Sequence, residues 1–418
     1  MDFSKGILIQ KALDLRILCN NSNSSNNIIN FNRDISQPAD GKYGISGKLL
    51  ILYAIAYCLL VHGSVYQDSH PWRILVYGIF AASVFFKYLK SPINCGITHY
   101  ISIALIFYGI TIGLINFHRS FFSWYSLLSD LIALSGFLIG TMLCATKSNM
   151  MIMKILTNCF HYLFLLAIIG TLWSIHSTTS HQRLANMSII TAVDYCIRLF
   201  PIALYYKRLC RDNSIKLLGS WLLILVIIAI IGSRGSLLLY VACSLLVIFS
   251  STNKITLSLI TTSLSAIVIF SAFYLVDIDI FSHLKNRITS TKLCEENRFY
   301  EMMNLVKDAN IELLCGRGLG ARNHNHNNFK FSESFCTMPH ITALGFMYKC
   351  GILGFLFFWL FPLIHAIRLI FSRYKMAIAF ATSLIIFKLG DCIGGTWDSI
   401  GLLFFSIVLF LNLQWKTY

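Results

Sequence analysis

The chain of 418 residues is 56% hydrophobic and only 12% charged, with a mean hydropathy of +0.68. Soluble domains contain about 25% charged residues, so this composition excludes an ordinary soluble domain and indicates a membrane protein with many spans. A formal net charge of +16 also occurs in nucleic-acid-binding proteins, but here the basic residues follow the distribution expected from membrane topology. We therefore predict no nucleic-acid partner.

Residues 1–45 are polar and rich in Asn and Ser, which predicts a cytoplasmic tail before the first membrane span. After this tail, apolar stretches long enough to cross the roughly 30 Å hydrocarbon layer recur along the chain. About twelve of them are predicted to be helices, nine within residues 46–276 and three within residues 341–418, so the predicted fold class is an all-α polytopic membrane protein. The predicted spans are 46–62, 74–90, 97–117, 120–143, 152–174, 187–206, 217–233, 235–252, 255–276, 341–367, 375–390 and 399–415.

The connections between these spans alternate between basic and weakly charged segments. Cytoplasmic connections of membrane proteins are enriched in Lys and Arg, so the alternation predicts that both termini are cytoplasmic. The opposite connections before residue 277 contain little more than Arg73, Arg119, Arg183 and Arg234. Long loops are exempt from the rule, so the basic loop 277–340 does not count against it. The basic segments contain Lys42, Lys48, Lys87, Lys90, Lys147, Lys154, Lys207, Arg208, Arg211, Lys216, Lys254, Arg368, Arg373 and Lys375.

A polar segment, residues 277–340, separates the first nine predicted spans from the last three. Loops of this length without a role are uncommon, so we predict a functional loop on the outer side of the membrane. Apolar residues recur at helical spacing over 297–309, which predicts a short helix. The glycines of Gly316-Arg317-Gly318-Leu319-Gly320 predict a tight turn after it.

Arg234 lies between two apolar runs, 221–231 and 237–249, with Gly232 and Gly235 close on either side. A guanidinium keeps its charge at physiological pH. An arginine at this position either extends to the membrane surface or binds an anion beside the membrane. The outer-side turn and the flanking glycines, which allow close approach of a ligand, support an anion site, although the sequence leaves both interpretations open.

Two further residues are candidates for chemistry at the same face. His340 opens a span and is either an interfacial residue or a general base, because imidazole titrates near neutral pH. Asp391, at the outer end of a span, either orients an Arg or His of a site or pairs with Lys388.

Three loop arginines are candidates for binding phosphate groups. Arg298, Arg317 and Arg322 are either solvated charges or pyrophosphate ligands, because the planar guanidinium fork matches phosphate oxygens. Arg298 is the strongest of the three because it lies on the predicted amphipathic helix.

Neither a metal nor a cofactor is predicted. His324 and His326 alternate with Asn and have no acidic partner nearby, which is a poor ligand set for a metal ion. Most of the 13 cysteines lie in apolar spans, where Cys behaves as a small hydrophobe. In the loop, Cys294, Cys315 and Cys336 leave open whether one disulfide forms.

The order and spacing of three motifs resemble the O-antigen ligase and O-antigen polymerase superfamily. The motifs are Ser233-Arg234-Gly235 at the head of a span, Arg298 followed by the glycine repeat in a long outer loop, and Pro339-His340 followed by Gly351-x-x-Gly354. The resemblance covers roughly residues 217–400, and the first half of the chain matches only in hydropathy.

The resemblance implies a metal-independent, inverting glycosyltransferase of the bacterial inner membrane whose active site faces the periplasm. Its donor would be a glycan on undecaprenyl pyrophosphate. Its acceptor would be a sugar hydroxyl, on lipid A core in a ligase or on another lipid-linked repeat unit in a polymerase. By the same resemblance, His340 would activate the acceptor, Arg234 and Arg298 would hold the pyrophosphate, and Asp391 would match an acidic residue found in some ligases.

The sequence leaves the kind of protein partly open. The long loop and Asp391 favour a ligase, whereas Ile341, at a position where ligases usually carry Asn, Ser or Gln, favours a polymerase. A flippase or transporter of lipid-linked glycan is a further alternative, and it would be expected to show paired repeats with charges at mid-depth. The candidate residues here gather at the outer face, which favours chemistry there.

Overall fold

A computed structural model describes residues 45–59, 71–90, 97–176, 179–210, 215–231, 233–250, 306–307, 311–322, 342–371, 375–393 and 398–413. These residues form an all-helical structure, and the one β-type pairing among them is an isolated antiparallel bridge between Phe122 and Ala321. In chain order the helices are α1 (Ile45–Leu59), α2 (Pro71–Lys90), α3 (Ile97–Ile115), α4 (Trp124–Ala145), α5 (Asn149–His176), α6 (Thr179–Leu209), α7 (Ile215–Ile231), α8 (Arg234–Ser250), α9 (Glu312–Cys315), α10 (Thr342–Phe355), a π-helix (Leu356–Leu360), α11 (Phe361–Ile370), α12 (Lys375–Ile393) and α13 (Ser399–Leu413).

The prediction of an all-α fold is confirmed for the described residues. Each predicted span coincides with helix except 255–276, which lies outside these residues. Among the described helices, four are long and apolar enough to cross a membrane: Trp124–Ala145, Asn149–Ser174, Ile189–Leu209 and Thr342–Ile370. Shorter apolar helices are Ile45–Leu59, His99–Ile115, Lys216–Ile231, Gly235–Ile248 and Ser399–Leu411.

The largest difference from a predicted boundary is at the start of α6. This helix begins at Thr179, whereas hydropathy predicted a start at residue 187. The added residues are mostly polar, and Gln182, Arg183 and Ala185 among them are good helix formers. Hydropathy therefore marks where the apolar part begins, and the helix continues beyond it.

Small residues bring α4 and α13 into close contact. A Cβ atom at Gly136 would overlap the carbonyl oxygen of Ser399, and one at Gly140 would overlap the Ser406 side chain. Glycines four residues apart lie on one helix face and allow two helix backbones to approach closely in a membrane. Helix α4 is thus packed along α13, with the aromatic side chains of Phe137 and Phe405 in contact beside this seam.

Two lysines meet at the end of the bundle that is predicted to face the cytoplasm. Lys87, in the last turn of α2, and Lys147, in the turn between α4 and α5, are close enough for their positive charges to repel each other. Burial lowers the pKa of Lys147 from 10.5 to about 8, and the neighbouring charge of Lys87 is a second, smaller cause. The two connections therefore lie at the same end of the bundle, as alternating spans require.

We expect Lys147→Gln to stabilise the folded protein at neutral pH, because the substitution removes an ammonium that burial and Lys87 disfavour. A folded-state pKa below the unfolded-state value makes the charged form unfavourable to folding. This cost is present in full below pH 8 and disappears as the pH rises from about 8 to 10.5. Thermal unfolding in detergent should show a higher Tm for the variant at pH 7 and a smaller difference at pH 10.

The control is Lys90→Gln, which changes an exposed lysine at the end of α2, the helix that carries Lys87. An equal increase in Tm for both variants would contradict the prediction. An increase in the Tm of Lys147→Gln that is as large at pH 10 as at pH 7 would also contradict it.

Candidate anion-binding site

Helix α6 carries two charged residues on the face that contacts its neighbours α8 and α12. Asp194 and Arg198 are four residues apart and therefore share one side of the helix. Asp194 Oδ1 accepts a 2.6 Å hydrogen bond from Ser236 Oγ, near the start of α8. The next residue, Tyr195, donates its hydroxyl to both carboxylate oxygens of Asp398, at 2.9 and 3.0 Å. The N-terminal ends of α8 and α13 therefore contact adjacent residues of α6.

Helix α12 adds a buried ion pair to this region. Lys388 Nζ lies 2.6 Å from Asp391 Oδ2, and the two side chains are 1% and 0% exposed. The same ammonium donates to the carbonyl oxygen of Phe358 in the π-helix, at 2.9 Å, and lies 3.6 Å from the centroid of the Phe405 ring. Of the two predicted alternatives for Asp391, the pairing with Lys388 is present in the structure.

Arg198 is almost completely buried, with 2% of its surface exposed. Its guanidinium carbon lies 5.4 Å from the centroid of the Tyr195 ring and 5.3 Å from that of the Phe387 ring. The guanidinium rests against Gly390, where any side chain would displace it. Among the described residues no carboxylate lies within ion-pair distance of Arg198, and its Nε has no hydrogen-bond partner.

We call this group the cation cluster; it consists of Asp194, Tyr195, Arg198, Ser236, Lys388, Asp391 and Asp398. Its two cations are near enough for their charges to interact, but only Lys388 has a carboxylate in contact. The aromatic rings beside Arg198 contribute about 0.5–2 kcal/mol, whereas removing an ion from water costs several kcal/mol. An anion bound to the Arg198 guanidinium would compensate for the remaining free-energy cost of burying its charge. A phosphate group fits the guanidinium fork best.

The structure places part of the predicted site at this cluster. Arg234 is the first residue of α8, two residues before Ser236, and α8 contacts α12, the helix that carries Asp391. Arg298 and His340 lie outside the described residues. His340 precedes the first residue of α10 by two positions.

Arg317 and Arg322 belong to a second polar group, which we call the glycine segment (residues 311–322). Arg317 Nε forms a 2.7 Å ion pair with Glu312, and its guanidinium carbon lies 4.7 Å from the centroid of the Phe121 ring and 5.4 Å from that of Tyr348. Burial acts to lower the pKa of Arg317, but Tyr348 and Glu312 outweigh it and the pKa is raised.

Arg322 is likewise held by protein groups. It hydrogen-bonds Ser123 through its guanidinium, and its backbone N–H donates to the carbonyl oxygen of Phe121 at 2.7 Å. Both arginines therefore attach the glycine segment to the bundle near the start of α4. Their predicted role in binding pyrophosphate stays a prediction.

The loop cysteines are described in part. Cys315 is a free, exposed thiol, whereas Cys294 and Cys336 lie outside the described residues, as do His324 and His326. Within the part of the chain that the structure describes, no group of His, Cys, Asp and Glu side chains could hold a metal ion.

Sequence reasoning overlooked Arg198, although a signal for it was present. Arg198 stands inside the predicted span 187–206, and a charge within a span is a functional hypothesis by default. The glycines beside Arg234 strengthen that signal, whereas the residues next to Arg198 are apolar. Asp130, in the span 120–143, and Lys349, in the span 341–367, carried the same signal.

Comparison with protein-family models and with curated proteins finds no match for this chain.

Proposed function

We propose that this chain is a membrane glycosyltransferase that transfers a glycan from undecaprenyl pyrophosphate to a sugar hydroxyl, with lipid A core as the preferred acceptor. The observation that carries the proposal is Arg198, a buried guanidinium without a carboxylate partner among the described residues. It lies beside a second cation, Lys388, in the helix group that includes the head of α8 at Arg234. Asp391 balances the charge of Lys388, so the cations available to a pyrophosphate would be Arg198 and the predicted ligands Arg234 and Arg298, because guanidinium groups match phosphate oxygens.

The reaction follows from the groups assigned to it. His340 takes the proton of the acceptor hydroxyl, whose oxygen attacks the anomeric carbon of the donor sugar and forms the new glycosidic bond. The bond between that carbon and the pyrophosphate oxygen breaks, and the configuration inverts. Negative charge develops on the departing undecaprenyl pyrophosphate, and Arg198, Arg234 and Arg298 stabilise it. No metal is required in this scheme.

We further propose twelve spans with both termini in the cytoplasm and the site facing the periplasm. Two contacts support this arrangement. The glycine segment, from the predicted outer loop, contacts the 116–123 turn that follows α3, so both lie at one end of the bundle. Lys87 and Lys147, from two connections predicted to be cytoplasmic, meet each other.

The position of the cation cluster also favours an enzyme over a transporter. Ser236 is near the start of α8, and Asp398 directly precedes α13. Both residues contact α6 at adjacent positions, so the cluster lies near the end of the bundle at which those helices begin. Transporter sites lie near the midplane, between repeated halves, whereas a site near one end suits transfer between substrates that approach from that side.

Deletion of the gene, followed by gel analysis of lipopolysaccharide, tests the proposal. Loss of every O-chain is expected if the acceptor is lipid A core, and core carrying a single repeat unit would identify a polymerase. Wild-type chain should restore the pattern, whereas chains with alanine at Arg234, Arg298 or His340 should not, although they reach the membrane in normal amount. An unchanged gel after deletion would overturn the proposal.

Arg119→Ala provides the matched control, because Arg119 is an exposed arginine in the turn between α3 and α4. This variant should restore the wild-type pattern. Normal glycan from all three of the site variants would show that the chain is not this enzyme.

A further inference from the structure

The glycine segment enters the helix bundle instead of remaining on its surface. The Leu319 side chain is 0% exposed, and its backbone N–H donates to the carbonyl oxygen of Gly109 at 2.8 Å. Gly109 is six residues before the end of α3 at Ile115, which corresponds to about 9 Å along the helix axis. Non-helical backbone at such depth requires partners inside the protein for its polar groups.

Glycine is required where the segment passes α3. Gly318 has φ +89°, a conformation that favours glycine, and a Cβ atom there would overlap the backbone of Gly113. Its N–H donates to the carbonyl oxygen of Lys349 at 3.0 Å, and the N–H of Arg317 donates to that of Tyr348 at 2.8 Å. The segment is thus paired with the backbone of α10 on one side and packed against α3 on the other.

One buried ion pair meets the deepest part of the segment. Lys349 Nζ lies 2.7 Å from Asp130 Oδ2, and the side chains are 0% and 1% exposed. Asp130 Oδ2 also accepts a 2.8 Å hydrogen bond from the N–H of Gly320, and Lys349 Nζ hydrogen-bonds the carbonyl oxygen of Ala321. The pair therefore supplies a charged acceptor and a charged donor to two consecutive residues of the segment.

The desolvation cost of burying this ion pair indicates that the pair is present to hydrogen-bond the glycine segment. Ion pairs buried in a bundle add little stability compared with apolar side chains of similar volume. Asp130 on α4 and Lys349 on α10 nevertheless occupy positions in otherwise apolar spans. An apolar pair could not hydrogen-bond the Gly320 N–H and the Ala321 carbonyl oxygen. Burying these two groups without hydrogen-bond partners would be costly.

We propose that Asp130 and Lys349 are positioning residues that dock the outer loop into the bundle and so place its reactive residues for glycosyl transfer. The second half of this statement rests on the proposed function. Lys349 is on α10, the helix that follows His340, and the glycine segment stands between Arg298 and His340 in the chain. Docking by the pair therefore fixes both ends of the stretch that carries His340, at Ala321 and at Lys349, and fixes the chain downstream of Arg298.

Hydrogen–deuterium exchange of the purified full chain in lipid nanodiscs tests the docking. In Asp130→Leu/Lys349→Met the buried charges are removed together, so the bundle should keep its unfolding temperature. Peptides that contain Leu319 and Gly320 should exchange about 100-fold faster, as expected when charged partners of buried groups are lost. Asp130→Asn, which keeps an acceptor oxygen and the side-chain shape, should retain part of the protection and part of the polysaccharide.

Ser135→Ala is the matched control on the same helix. The Ser135 hydroxyl hydrogen-bonds Tyr77 at 2.6 Å and the Ile132 carbonyl oxygen at 2.7 Å, so exchange at residues 316–322 should not change. Full protection of the segment in the double variant would overturn the docking. Rapid exchange with normal polysaccharide would overturn the positioning role. If the wild-type chain proves to transfer no glycan, faster exchange in the double variant would still support docking, and the proposed function alone would have failed.

Discussion

Arg198→Met is expected to abolish glycan transfer without destabilising the protein. Methionine keeps much of the side-chain volume but removes the charge. Loss of one preorganised group that stabilises developing negative charge typically lowers the rate by about 10²–10³-fold. The folded state should tolerate the change, because Arg198 has no carboxylate partner among the described residues and replacement of a buried charge by an apolar group is often neutral or stabilising. Polysaccharide analysis of cells measures the loss of glycan transfer, and the Tm of the purified variant measures its stability.

Two further variants make this prediction specific to the guanidinium. Arg198→Lys keeps a positive charge but loses the planar fork, so it should retain part of the activity. Arg208→Met, in the last turn of α6, should leave glycan transfer intact. A fall in Tm for Arg198→Met well beyond that of Arg208→Met would show that Arg198 is structural, and wild-type glycan from Arg198→Met would exclude it from the site.

The helices were predictable because their signal is local. A run of apolar residues of sufficient length identifies a span whatever the rest of the chain does, and α3, α4 and α12 begin and end within a few residues of the prediction. The pairing of Lys388 with Asp391 was also accessible, since residues three apart on a helix are neighbours.

The glycine segment shows where such reasoning stops. Its polarity and its three glycines predicted a turn in an outer loop, which is compatible with its backbone. How deeply the glycine segment lies in the helix bundle depends on its contacts with Gly109, Asp130 and Lys349, which are distant from it in sequence. Asp130 and Lys349 are 219 residues apart, so only the three-dimensional structure reveals that the two charges form one pair. Without that pair, the sequence gives no reason for polar backbone to enter the bundle.

The same limit applies to the cation cluster. Asp194, Arg198 and Lys388 were visible as charges within or near spans, but a charge in a span indicates neither its partner nor its depth. Their arrangement depends on the contacts among α6, α8 and α12. Lys388 is balanced by Asp391, whereas no carboxylate among the described residues lies within ion-pair distance of Arg198, and this difference distinguishes Arg198.

Lys388→Met is expected to cause the largest loss of stability of any single change in the cation cluster. The substitution leaves the Asp391 carboxylate, 0% exposed, without the ammonium 2.6 Å away, and it removes the donor to the Phe358 carbonyl oxygen. Removing one partner of a buried ion pair typically costs about 3–5 kcal/mol. Unfolding of the purified protein in detergent, followed by helical circular dichroism, should show a reduction of this size.

A double-mutant cycle separates the pair from its parts. Lys388→Met/Asp391→Leu removes both charges, so we expect it to recover most of the stability that either single variant loses. Arg317→Met is the control, because the Arg317–Glu312 pair is partly exposed, with 13% and 48% of the side chains accessible, and such pairs contribute about 0–1 kcal/mol. If Lys388→Met and Asp391→Leu have independent, additive effects, the two residues do not act as a pair. Recovery of stability in the double variant without glycan transfer would instead show that the proposed transfer requires the pair itself.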